Sequence, residues 1–302
     1  MVSGKLKKIK ICVLGANGQL GQEFRCIAPE FEFMSFHFYD KKSCDIIKKS
    51  DVAKAIASHD FDYLINCAAY TAVDRAEKEV EQCYAINTQA CNILVDVLSD
   101  TKIKLIHFSS DYIYHTYSGF PIREEDSKSP KGIYAKSKYD GEMILRKSNI
   151  PVLILRTSWV ISSFGNNFLK TMLRLGAEKN AISVVNDQFG APTYARHLAN
   201  GVLDIITATI SDPSRLDSFN DTYNFANEGI VTWYDIAKQI MNESKLECKV
   251  NPISTEEYPT PARRPNWSVL SKHKIKETYS LEIPHWYIAV KDCLLAVKMD
   301  QT

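Results

Sequence analysis

No charge of one sign accumulates in this chain of 302 residues: 37 Lys and Arg face 36 Asp and Glu, a formal net charge of +1. Such a balance leaves no electrostatic footprint for nucleic acid or an anionic membrane surface. No apolar run approaches the roughly 18 residues a membrane helix needs. The start, Met1–Lys10, is basic, but the apolar stretch after it ends in a glycine-rich turn rather than a small-residue cleavage site, so a cytoplasmic location is expected. The eight cysteines include no Cys-x-x-Cys pair, and the seven histidines show no metal-ligand spacing. With Cys12 and Cys67 inside strand-like runs, buried free thiols are expected, and no metal site. Internal repeats and low-complexity linkers are also missing. What is left, 45% hydrophobic and 24% charged residues, is an ordinary globular composition, long enough to bury one or two cores.

The first half alternates between two patterns. Strand-like segments at Lys10–Leu14, Phe33–Tyr39, Tyr63–Cys67, Lys104–Ser109 and Val152–Arg156 are separated by helix-like ones at Gln19–Ile27, Val52–Ser58, Cys83–Leu98 and Lys138–Lys147. This alternation predicts an α/β fold with a Rossmann-like, doubly wound parallel sheet. Beyond Thr157 the pattern loosens: helices at Asn167–Leu175 and Thr193–Ala208, short strands at Ser183–Asn186 and Tyr223–Ala226. Thr232-Trp233-Tyr234-Asp235 opens another helix with a capping box, in which Thr and Asp satisfy orphan amides. Pro252, Pro259, Pro261 and Pro265 favour loop-built structure in the tail.

Two motifs carry chemistry. Gly15, Gly18 and Gly21 follow the first strand and lead into a helix, where a pyrophosphate needs a tight turn, close backbone approach and free helix N-terminal amides. Asn17, Gln19 and Leu20 lie in the same turn. Asp40, about 20 residues on, ends the second strand, where a carboxylate binds a ribose hydroxyl. Lys41 and Lys42 follow it and suit a 2′-phosphate, so NADPH and NADH both stay open as the cofactor. Asp45 and Ile46 are candidates for the adenine pocket. The small residues of Asn66-Cys67-Ala68-Ala69-Tyr70 let a cofactor cross the sheet edge. The second motif is Tyr134-x-x-x-Lys138, placed after Ser110. A ketone that accepts hydride needs a proton. A free Tyr, with a pKa of ~10, is a poor donor near neutrality, and a neighbouring Lys lowers that value. Residues i and i+4 share a helix face, and Ser110 would hydrogen-bond the substrate oxygen. Residues 1–157 are therefore expected to form an NAD(P)-binding domain to which 187–226 returns, with 158–186 and 227–302 as a smaller substrate-binding lobe.

These residues resemble the extended short-chain dehydrogenase/reductase superfamily and, within it, the dTDP-4-dehydrorhamnose reductase family. The resemblance covers nearly the whole chain. Its blocks are Gly18–Gly21, Ala68–Glu77, Ser109–Tyr114, Arg156–Val160, Gly165–Phe168, Asn186–Thr193 and Thr260–Pro265 with Ser268. It implies reduction by NADPH or NADH of the C4 ketone of a nucleotide-activated 4-keto-6-deoxy sugar, dTDP-4-dehydro-L-rhamnose foremost. The nucleotide, dTDP or UDP, and the sugar product stay open. In that reading Tyr134 is the general acid, Lys138 tunes it and orients the nicotinamide ribose, and Ser110 binds the reacting oxygen. Thr71, Val73, Asp111, Tyr112, Trp159 and Asn167 would line the sugar pocket, with Arg263 or Arg264 near the diphosphate.

Some members of the family bridge a homodimer with magnesium held by acidic residues. Glu23 matches one ligand position, but Tyr194, Arg196 and His197 stand where an acidic partner belongs, so a homodimer is an expectation and the metal is not. Two other readings share the resemblance. A sugar-nucleotide dehydratase needs Glu where Tyr112 stands, and epimerases usually lack the preceding Asp. A non-catalytic subunit, like the regulatory β subunit of methionine adenosyltransferase, does not account for the Asn186–Thr193 and Thr260–Pro265 blocks.

Overall fold

A computed structural model describes residues 8–115 and 119–299. The basic start, Met1–Lys7, lies outside them. Strands β1 (Ile9–Leu14), β2 (Met34–Tyr39), β3 (Tyr63–Asn66), β4 (Lys104–Ser110), β5 (Val152–Thr157) and, much later in the chain, β10 (Thr222–Phe225) form a six-stranded sheet in the order β10-β5-β4-β3-β1-β2. Every neighbouring pair is parallel. Both faces are covered, as side-chain alternation requires. Ile11, Val13, Tyr63, Ile65, Ile106, Leu153 and Leu155 point into one apolar cluster; Cys12, Leu14, Leu64, Leu105, Val152 and Ile154 point into the other. Helices α1 (Gln19–Ile27) and α8 (Ala195–Ser211) contribute to the first. Helices α2 (Lys49–Ala57), α5 (Ala90–Leu98) and α6 (Ile133–Lys147) contribute to the second. The predicted doubly wound sheet is the one observed.

A third cluster lies outside the sheet. It joins α7 (Phe168–Glu178), α10 (Trp233–Ser244) and α12 (Trp286–Met299) to β7 (Ala181–Val185), which pairs in parallel with β12 (Lys249–Ile253). Short pairs β6 (Val160–Ile161) with β9 (Thr193–Tyr194), and β8 (Phe189–Gly190) with β11 (Val231–Thr232), complete it. The capping box at Thr232 and Asp235 forms as predicted.

Several expected boundaries are corrected. The helix expected over Lys138–Lys147 begins at Ile133 instead, so Tyr134 sits in its first turn. The single helix expected over Cys83–Leu98 is α4 (Val80–Tyr84), a π-helical segment (Ala85–Gln89) and then α5. The tail is not only loops. Pro252 lies inside β12, tolerated where a two-stranded sheet leaves an edge free, and α11 (His273–Tyr279) and α12 follow the proline-rich span.

Candidate active site

The site lies at the carboxyl ends of β1, β3 and β4, where the chain leaves β1 for β2 on one side of it and β3 lies on the other. In an open parallel sheet this reversal leaves a crevice for a ligand. Gly15 turns out of β1 at φ +74°, and a Cβ there would stand 2.5 Å from the Ala68 nitrogen. A Cβ at Gly21 would meet the Gly15 carbonyl oxygen at 2.5 Å. Only glycines let the turn and the loop after β3 approach this closely. Gly18 caps α1 without a side-chain hydrogen bond, leaving the first amides of the helix for an anion.

The resulting cleft, about 230 Å³, is lined by Gly15, Asn17, Gly18, Asp45, Ile46, Ala68 and Ala69, all predicted, and also by Lys41, Cys44, Cys67 and Ile86. Asp40 is committed to its own turn. Its Oδ1 accepts from the Lys42 and Ser43 amides and the Ser43 hydroxyl, and its Oδ2 from Asn17 Nδ2 at 2.9 Å. Those bonds, the Ser43 amide foremost, hold its pKa below the ordinary carboxylate value. Three predicted residues serve the cleft indirectly. Leu20 packs onto the core below it. Gln19 accepts from Asn167. Tyr70 turns its ring into a small cluster with Ala76 and Cys83, and its hydroxyl donates to Glu79 at 2.8 Å.

Ser110, Tyr134 and Lys138 converge beside the cleft. Ser110 Oγ donates to Asp111 Oδ1 at 3.1 Å and accepts the Tyr112 amide. Contrary to the expected lowering by Lys138, burial, then the Asp111 and Tyr112 charges, push the Tyr134 phenol well above its ordinary pKa, while the Ser110 hydroxyl pulls the other way. Lys138 Nζ donates to the Phe108 carbonyl at 2.6 Å, and burial lowers its pKa. A cation and a buried phenol thus share one helix face, each displaced by burial towards its neutral form.

Sequence reasoning missed the supports behind this trio. His107, buried on β4, takes a hydrogen bond at Nδ1 from Asn66 Nδ2, whose Oδ1 accepts the Ala68 amide. Burial, followed by the Lys138 charge, keeps this histidine neutral. Asn87, in the π segment, accepts the Tyr70 amide at 2.9 Å and donates to the Tyr70 carbonyl and to Ser137 Oγ at 3.0 Å. It therefore binds the loop after β3 to the helix of Tyr134. One turn past Lys138, Glu142 holds the fully buried Arg156. Arg156 also donates to the Tyr114 hydroxyl and to the Glu124 carbonyl.

On the sugar side, Tyr112 meets the Tyr134 ring edge-on at 5.5 Å and accepts from Arg264 Nη1 at 3.3 Å. Arg263 is exposed, whereas Arg264 is ion-paired to Asp74 at 2.7 Å. Thr71 is exposed ahead of Val73, which opens a short helix, Val73–Ala76, labelled α3. Asp111 is buried, and its burial lifts its pKa to about 6 against the opposing Ser268 and Ser110 hydroxyls. Trp159 adopts φ +48°, a costly conformation for an aromatic residue. It is held between Gly190, where a Cβ would stand 2.8 Å from its ring, and Trp233, stacked at 3.9 Å. Asn167 caps α7 and donates to Gln19 at 2.8 Å, so it ties the outer cluster to the glycine turn.

The residues around Glu23 do not fit magnesium. Its two oxygens accept from Ser162 at 2.6 Å and Arg196 at 2.8 Å, so a guanidinium already neutralises the carboxylate. Among the described residues no three His, Cys, Asp or Glu side chains gather as a metal site.

A six-stranded parallel sheet, a glycine-cornered cleft at its reversal and a Ser, Tyr and Lys at its rim define an extended short-chain dehydrogenase/reductase. More narrowly, the chain belongs to the RmlD substrate binding domain family, whose profile it matches over residues 9–299. It is 35% identical to dTDP-4-dehydrorhamnose reductase of Escherichia coli K12 over 294 residues, 95% of this chain and 97% of that protein. It is 36% identical to the spore coat polysaccharide biosynthesis protein SpsK of Bacillus subtilis 168, with 94% and 96% covered. Among solved structures, dTDP-4-dehydrorhamnose reductase of Bacillus anthracis in complex with NADP superposes with a TM-score of 0.88 at 33% identity, covering 96% of this chain and 99% of that one.

Proposed function

We propose that this protein reduces the C4 ketone of a nucleotide-activated 4-keto-6-deoxy sugar, dTDP-4-dehydro-L-rhamnose to dTDP-L-rhamnose, with NADPH or NADH. The observation that carries the reading is the convergence of Ser110, Tyr134 and Lys138 beside a cleft that only glycines could open. A reduced nicotinamide bound in that cleft supplies hydride. The chain's own residues do the rest. On substrate binding the Ser110 hydroxyl would turn its one proton from Asp111 Oδ1 to the reacting oxygen. The Tyr134 hydroxyl, a phenol and so protonated at neutral pH, delivers the proton to that oxygen as negative charge develops there. Lys138, fixed by the Phe108 carbonyl, keeps positive charge next to the phenolate left behind. Lys41 on the cleft wall, beside an Asp40 already engaged by its own turn, favours the 2′-phosphate of NADPH. A dehydratase would need a carboxylate at position 112, and Tyr112 is instead held by Arg264.

The division of labour between residues 1–157 with 187–226, and 158–186 with 227–302, is part of the same proposal. It is supported by the return of β10 to the main sheet and by the separate apolar cluster around α7, α10 and α12. Buried thiols such as Cys12, Cys83 and Cys293 suit a reducing compartment, so the cytoplasm is the proposed location. A homodimer is proposed from the family resemblance alone, and light scattering tests it. The decisive experiment follows absorbance at about 340 nm, the reduced-nicotinamide band, in the catalysed hydride transfer. Oxidation of NADPH or NADH that requires dTDP-4-keto-6-deoxy-L-mannose supports the reading. Cofactor binding with no oxidation by this sugar or its UDP analogue overturns it.

A further inference from the structure

We infer that Asp74 is a positioning residue for the sugar substrate: it clasps the proline-rich span Thr260–Pro265 over the sugar side of the site, acting through Arg264 on Tyr112. This rests on the reductase reading above. The span is anchored at both ends in the outer part of the molecule. Thr255 donates its amide and hydroxyl to Asp187, and the Ser268 amide bonds the Phe189 carbonyl at 2.7 Å. Between these anchors it reaches the nucleotide-binding half at Asp74. Both carboxylate oxygens are used: Oδ1 accepts the amide of the buried Ala262 at 3.3 Å, and Oδ2 accepts Arg264 Nη2 at 2.7 Å.

The guanidinium then reaches onward from Nη1 to the Tyr112 hydroxyl, 3.3 Å away, and the Tyr112 ring stands edge-on against Tyr134. A planar fork suits this task, because one nitrogen can be held while the other positions a second group. Asp74 belongs to α3, three residues after Thr71, so the clasp closes at the rim from which a sugar would enter. Because the ion pair is partly exposed, side-chain exposure being 28% and 37%, it can open without unfolding the core.

The test uses the full chain. Asp74→Asn keeps the size of the side chain and removes its charge. It is expected to raise KM for the 4-keto sugar by about fivefold or more, with kcat within about twofold and NADPH affinity unchanged, as loss of a partly exposed charged contact used in substrate binding implies. Asp74→Glu should recover most of the loss. Trypsin supplies a readout that needs no activity: it cuts after Arg263 but is blocked after Arg264 by Pro265, and Asp74→Asn should speed that cut several-fold. An unchanged KM, a fall in kcat without a rise in KM, or an unchanged cleavage rate each overturns the clasp. If the wild-type protein reduces no 4-keto sugar, the reductase reading fails and cleavage of the NADPH-loaded protein decides alone: faster cutting in Asp74→Asn supports the clasp, and an equal rate rejects it.

Discussion

At the scale of single residues, burial in the site displaces several groups from their ordinary proton affinities. Tyr134, the proposed proton donor, is a buried phenol, so its removal should stop proton delivery while leaving the cleft intact. Tyr134→Phe is expected to lower kcat by about 10²-fold or more, the range a positioned acid contributes, with NADPH affinity preserved in a fluorescence titration. Near-normal turnover would show that the proton comes from elsewhere. Asp111 shows the same physics with the opposite consequence for stability. Burial raises its pKa from 3.8 to about 6, so the folded protein is penalised wherever this carboxylate must be charged. Its contribution is most favourable below the unfolded value and is lost as pH rises through about 6. Asp111→Asn should therefore raise the unfolding free energy at pH 7.5 by about 1–3 kcal/mol, the upper end being the full shift, and by little at pH 4. Urea unfolding at the two pH values checks it, and equal effects at both would refute the assignment. Gly15, Ser110, Tyr134 and Lys138 were legible in the sequence because each chemistry demands one residue type at one spacing. His107 and Asn87 were not, since a lone polar residue in an apolar strand or helix gives no sign of which backbone it will satisfy.

Among the elements, α6 matters most, because Tyr134, Lys138 and Glu142 ride on it. Its position is set by an irregularity in its neighbour. The π-helical segment Ala85–Gln89 brings the Asn87 carbonyl against Gly141, where a Cβ would sit only 2.1 Å from that oxygen. Thr88 Oγ1 adds a hydrogen bond to the Ser137 carbonyl at 2.8 Å. Helical periodicity over Cys83–Leu98 predicted a continuous helix because Ile86, Ala90, Ile93, Leu94 and Val97 fit a single face; one inserted residue leaves that pattern almost unchanged. Strand positions were legible from their apolar runs, whereas the order β10-β5-β4-β3-β1-β2 depends on long-range pairing. Gly141→Ala should force α6 away from the π segment. The expected cost is about 1–3 kcal/mol of stability, as for overpacking elsewhere, together with a loss of turnover larger than the stability change explains, because the helix carries the proposed proton donor. Stability measured by denaturation and kcat measured on the folded fraction separate the two effects. Full activity in a destabilised Gly141→Ala would mean that this contact is packing alone.

Across the whole molecule, apolar clusters that draw on distant parts of the chain, such as Ile113 and Tyr114 with Trp267 and Leu270, are supplemented by buried polar ties. Glu23 is the clearest case. It is fully buried on α1, and its partners come from distant parts of the chain: Ser162 just after β6, and Arg196 at the start of α8. Asn167 with Gln19 makes a second tie nearby. A buried carboxylate is costly unless it is neutralised, and here the counter-charge is a guanidinium one-third exposed at 34%. Arg196→Ala should therefore strand an uncompensated charge between α1, α8 and the segment after β6, lowering stability by about 3–5 kcal/mol. The sign of a second change distinguishes charge from packing. In the Arg196→Ala background, Glu23→Gln removes the stranded charge but not the cavity, so it should restore most of the loss. If the loss were due to missing side-chain volume, the double variant would be no more stable than Arg196→Ala. Chemical unfolding of the wild type, Arg196→Ala and the double variant resolves the two cases, and a double variant that recovers nothing would show that these segments are held by shape rather than by charge.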